Sequence, residues 1–155
     1  MRVIEQLKAL SPERFLAIYQ ALEQDGYGPL DGEVAKALKF RPHAIKKLPM
    51  EQRARRARSI LERTANAELA YELFGSYLMK TCKGLVTTFL DGTGVEHEDG
   101  MISSVELQKP DPARVAETVT RLDRDFDAQD VTLYLAMCAE QWPQVSEVET
   151  VWRMR

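Results

Sequence analysis

Between Asn66 and Asp91 the chain carries apolar side chains on almost every side of a helix, and this stretch limits what the remainder can fold into. Leu69, Leu73, Phe74, Tyr77, Leu78, Cys82, Leu85, Val86, Phe89 and Leu90 cover most of the circumference, leaving a narrow polar strip through Glu68, Glu72, Lys83 and Thr87. A helix of that kind is stable only with other helices laid around it. Asn66 offers a capping side chain at its start and Gly92 a stop, so the spacing predicts one long helix over 66–91. Gly75 and Gly84 mark places where neighbouring helices approach closely.

The rest of the chain supplies those neighbours. Ser11-Pro12-Glu13 places a cap before a proline, and Phe15, Leu16, Ile18, Tyr19 and Leu22 then share one face of a helix over 12–24. Before it, Val3, Ile4, Leu7 and Leu10 space a short opening helix over 2–9. Asp31 caps a short helix with Val34, Ala35 and Leu38 that ends at Pro42, and Pro42 opens a further turn through Leu48. Met50, Ala54, Ala57 and Leu61 make the apolar stripe of a helix over 50–64 whose remaining surface is mostly arginine. Asp111-Pro112 caps a helix over 112–125, and Asp127 caps one over 128–142 that Pro143 ends. Val145, Val148, Val151 and Trp152 give a last segment helical spacing. Residues 93–110 break the pattern: Asp99-Gly100 suggests a short hairpin, while Ser103 to Glu106 has the form of a capping box. At 155 residues, near the commonest domain size, the expectation is an all-α, single-domain bundle of six or seven helices around the 66–91 helix, with an irregular or short-hairpin connection at 93–110.

Composition narrows the classes of function. With 45% apolar and 29% charged residues the chain has the makings of a core and is not a disordered segment. Its longest uncharged stretches in the apolar middle, Leu73 to Met79 and Leu85 to Leu90, are far shorter than the roughly 20 residues of a membrane helix. Arg2 and Glu5 interrupt the start before a signal peptide can form. Cys82 and Cys138, distant and without a CxxC, read as buried reduced thiols. The expected location is cytoplasmic.

Charge is unevenly placed. Residues 39–63 hold nine cations (Lys39, Arg41, Lys46, Lys47, Arg53, Arg55, Arg56, Arg58 and Arg63) against Glu51 and Glu62, whereas residues 91–149 hold fourteen acids against four bases. Lys46, Lys47 and the five arginines are the candidates for binding nucleic acid or another polyanion, since guanidinium groups on one helix neutralise phosphates. Phe40 is the only aromatic nearby for stacking, and a sequence pI near 5.5 suits a solvated face, or one paired with acids such as Asp123, Asp125 and Asp127, better.

Three other constellations bear on chemistry. Glu96-His97-Glu98-Asp99 places a histidine among carboxylates on a loop, the makings of a metal or acid-base site. In extended chain Glu96 and Glu98 face away from His97 and Asp99, so such a site needs a ligand from elsewhere, and His43 is the only other histidine. Asp123, Asp125 and Asp127 match the start of a calcium loop, but Ala128 stands where the turn needs glycine and Tyr134 where a bidentate glutamate should be. Lys80 and Lys83 flank Cys82 without any flanking nucleophile signature. No phosphate-binding glycine loop, serine elbow or zinc-protease motif is present. The expectation is a non-enzymatic helical module acting through protein contacts or self-association, with no cofactor, no resident metal and no membrane. Polyanion binding on helix 50–64 and a metal-dependent or acid-base enzyme at Glu96 to Asp99 are the alternatives.

Overall fold

A computed structural model describes residues 2–24, 47–104 and 106–155. The expected helix after Asp31, the turn opened by Pro42, and Phe40, His43, Lys39, Arg41 and Lys46 lie outside the described residues. Eight helices are present among the described residues: α1 (Arg2–Ala9), α2 (Pro12–Gln24), α3 (Met50–Thr64), α4 (Ala67–Thr81), α5 (Lys83–Gly92), α6 (Pro112–Asp125), α7 (Ala128–Gln141) and α8 (Ser146–Arg153). All eight contribute side chains to one buried apolar cluster.

Their starts follow the capping residues in the sequence. Ser11 Oγ accepts the Arg14 N–H, Asn66 Oδ1 that of Leu69, and Asp111 Oδ1 that of Ala113. Asp127 Oδ1 accepts from both Gln129 and Asp130. Each such cap stabilises its helix by about 1 kcal/mol.

The expected single helix over 66–91 is two. The chain leaves helical geometry at Cys82 (φ −123°, ψ 34°), whose N–H still bonds Leu78 O while its carbonyl accepts from Leu85 and Val86, so one residue ends α4 and begins α5. Thr81 and Gly84, both poor helix formers, flank the break. The apolar side chains nevertheless go where the pattern put them: Leu73, Phe74, Leu78, Leu85, Phe89 and Leu90 are buried. α4 packs against α1, α2, α3, α5 and α7. α7 is as deeply placed, with every residue from Asp130 to Ala139 except Thr132 buried. Phe89 of α5 meets the ring of Tyr134 of α7 edge-on, centroids 5.3 Å apart.

Close helix approach is enforced at Gly92 and not at Gly75 or Gly84. A Cβ on Gly92 would stand 2.7 Å from the Thr118 methyl of α6, whereas one on Gly75 or Gly84 would only touch Met137 or the Phe126 ring. α8 closes the other end, where Trp152 Nε1 donates to the buried Gln6 Oε1 of α1.

Candidate interaction surface

The connection between α5 and α6 is tied to the rest of the fold at several of its described residues. It begins with a Schellman turn: Gly94, at φ +76°, lets Val95 N–H reach Leu90 O and Gly94 N–H reach Asp91 O, and Val95 is buried behind it. The expected hairpin follows. Asp99 and Gly100, at φ 53° and 89°, form a two-residue turn, and Glu98 and Met101 exchange both backbone hydrogen bonds. At φ 89° any side chain at Gly100 would be strained, and its Cβ would also press on the terminal methyl of Met79 of α4. Ser103, Ser104 and Glu106 are not helical, and Gln108 N–H donates to Ser104 O. Trp142 Nε1 then donates to Gln108 O, and Asp111 N–H to Thr93 O closes the loop's neck.

His97 is part of this scaffold. Its Nδ1 accepts the Gly100 N–H at 2.9 Å, and Nε2 lies 2.6 Å from Asp91 Oδ1. With Nδ1 accepting, Nε2 carries the proton and donates to Asp91. Both nitrogens are therefore used, one on the hairpin and one on the end of α5. The four residues singled out in the sequence point to four different places. Glu96 accepts from Gln108 Nε2, His97 turns to Asp91, Asp99 pairs with Lys83 at 2.5 Å, and Glu98 is exposed. Among the described residues no three His, Cys, Asp or Glu side chains are grouped to hold a metal ion. Asp91, the partner that matters to His97, carried no signal in the sequence beyond its place at a helix end.

Among its exposed charged residues the loop also offers two large apolar side chains. Met101 is 66% exposed and Leu107 85%, on a backbone tied down on either side of them. A cleft of about 430 Å³ runs beneath, lined by His97, Met101, Ile102 and Gln108 among others.

The arginines of α3 divide into two sets. Arg53 is buried and paired with Glu23 of α2. Arg58 donates to the carbonyls of Leu7, Lys8 and Leu10 at the end of α1, pairs with Glu62, and lies over the Phe15 ring. It thus satisfies the carbonyls that α1 leaves open. Arg55, Arg56 and Arg63, with Lys47 before the helix, are exposed and make no ion pair among the described residues. Asp123, Asp125 and Asp127 are not partners of α3 as expected; they pair with Arg155, Arg124 and Arg14. Arg58→Ala should destabilise by about 2–3 kcal/mol, because several charge-assisted bonds are lost together. Arg55→Ala should stay within about 0.5 kcal/mol. Equal midpoints in urea for the two variants would contradict this division.

The acidic face hides a further cluster. Asp130, 9% exposed, accepts from Tyr77 Oη at 3.0 Å and pairs with Arg14 of α2 at 3.2 Å, while Arg14 also reaches Asp127 at 3.0 Å. The Cys82 thiol lies against Tyr77 and Asp130; burial, helped by the Asp130 charge, pushes it up to about 11. Cys138 is pushed by burial up to about 12, and so is the Tyr71 hydroxyl, which donates to Gln141. Neither thiol is an activated nucleophile. These groups stay neutral in the fold but ionise nearer pH 8.5–10 in the unfolded chain, so their contribution to stability is whole below about pH 8 and is lost as pH rises toward 12. The melting temperature should fall steadily from about pH 9 upward. A value unchanged from pH 8 to pH 11 would contradict the burial of these groups.

The fold and its surface define an all-α helical bundle. No protein-family model matches the chain, and no curated protein or solved structure is significantly similar to it.

Proposed function

We propose that this chain is a non-catalytic helical module that recognises another protein through the loop at 93–111. One observation carries the reading: Met101 and Leu107, large and exposed, stand on a backbone fixed by the Schellman turn, the hairpin, His97 and Trp142. Exposed apolar side chains carried on a backbone already tied down cost less backbone entropy on docking, which is the character of an interaction site. Loops on rigid scaffolds are also where function concentrates. The two cysteines, free of any disulfide, suit a reducing compartment, and we place this action in the cytoplasm. No described helix is long and apolar enough to cross a membrane.

The double variant Met101→Ser/Leu107→Ser tests the reading. Both side chains are exposed, so its melting temperature should match wild type within about 2 °C. Tagged wild-type protein in fresh extract should elute in a complex larger than its own 17.7 kDa, and the double variant at its own mass. Identical elution of the two would overturn the proposal.

A further inference from the structure

We infer that the loop's partner is a second copy of this chain, bound head-to-tail with the loop of one copy against α3 of the next; this rests on the loop being a protein-contact site. Charge complementarity points to this partner. Beside Met101 and Leu107 the loop exposes Glu98, Asp99 and Glu106, of which only Asp99 has an ion-pair partner among the described residues. On α3, half-buried Gln52 and exposed Arg56, Ser59 and Arg63 recur at spacings of four, three and four, so they form one stripe that holds two arginines without an ion pair among the described residues and no acid. Next to that stripe a cleft of about 690 Å³ opens between α2 and α3, floored by Phe15, Leu16 and Ala54; Lys8 and Arg55 line it with Glu13 and Glu51, and the paired Arg58 and Glu62 complete it. It offers apolar surface for Met101 and Leu107 beside cations for Glu98 and Glu106.

The two surfaces do not neutralise each other within one molecule. Arg63 lies two residues before the turn into α4, whereas the loop packs on Met79 near the far end of α4, about 20 Å of helix away. A surface meeting a different surface on the next copy gives a heterologous contact, which builds rings or chains and not a two-fold dimer.

Sedimentation velocity of the purified chain tests this. Wild type should associate with rising concentration at low salt, and about tenfold more weakly near 0.5 M salt. The variants Glu98→Arg/Glu106→Arg and Arg56→Glu/Arg63→Glu should each be monomeric alone and associate again when mixed in equal amounts, because each restores the charge the other lacks. Circular dichroism checks that both are folded. A wild type that stays monomeric, variants that associate like wild type, or a mixture that fails to reassociate would each overturn the second-copy partner. A monomeric wild type would leave the loop reading standing if the extract complex still depended on Met101 and Leu107. Micromolar binding of a labelled duplex oligonucleotide, abolished in Arg56→Glu/Arg63→Glu, would assign the stripe to a polyanion and overturn the inference. So would a crosslink from position 107 to residues 25–46 of the same chain.

Discussion

Phe74→Ala is expected to destabilise the fold by about 3–5 kcal/mol, because it deletes a fully buried ring from the helix that packs against five-sided surroundings of α1, α2, α3, α5 and α7. Leu73 and Leu78 beside it on α4 are also buried, and the clustered neighbours cannot collapse fully into the space. For a chain of this length the loss corresponds to a melting temperature lower by about 10 °C. Urea unfolding should show a lower midpoint with an unchanged slope, which separates lost stability from a changed unfolded state. A loss below about 1 kcal/mol would mean that the ring is not enclosed.

Asp130→Ala should cost nearly as much, about 2–4 kcal/mol, for a different reason. Removing the carboxylate leaves the Tyr77 hydroxyl without its acceptor and Arg14 with only the half-exposed Asp127. The Tyr77 hydroxyl then loses the acceptor it had and the Arg14 guanidinium is only partly compensated. Asp130→Asn keeps an acceptor for Tyr77 and should cost less. The double variant Asp130→Ala/Arg14→Met should recover part of the loss, since the stranded cation goes with its partner. Equal costs for Asp130→Ala and Asp130→Asn would show that the negative charge beside Arg14, and not the acceptor for Tyr77, carries the stabilisation.

The helical fold was readable in the sequence because its two determinants are local. Periodic apolar residues set the buried faces, and Ser11, Asn66, Asp111 and Asp127 fixed four of the helix starts through bonds to residues two or three further on. The break at Cys82 was not readable, since the apolar stripe continues through it and only the backbone changes direction. Gly92 reads as a stop signal, yet the tight contact it permits is with Thr118, on a helix that sequence spacing cannot place. The same limit applies to charge. Counting arginines on α3 found a basic helix, but whether a guanidinium faces solvent or the end of α1 depends on tertiary packing. Asp130 likewise reads as a first-turn acid beside a cap, and its contacts with Arg14 and Tyr77 span 116 and 53 residues. At the loop, the Asp-Gly hairpin was legible and its apolar display was not. Burial of Val95 and exposure of Met101 and Leu107 follow from how the loop folds back on Trp142.

The most direct test of the loop as a protein-contact site places a photoreactive amino acid at position 107, and separately at Thr120 on the exposed face of α6, in the cell. Irradiation should give one discrete protein adduct from position 107 and none from position 120. No adduct from position 107, or the same adducts from both, would contradict a protein-binding role for the loop.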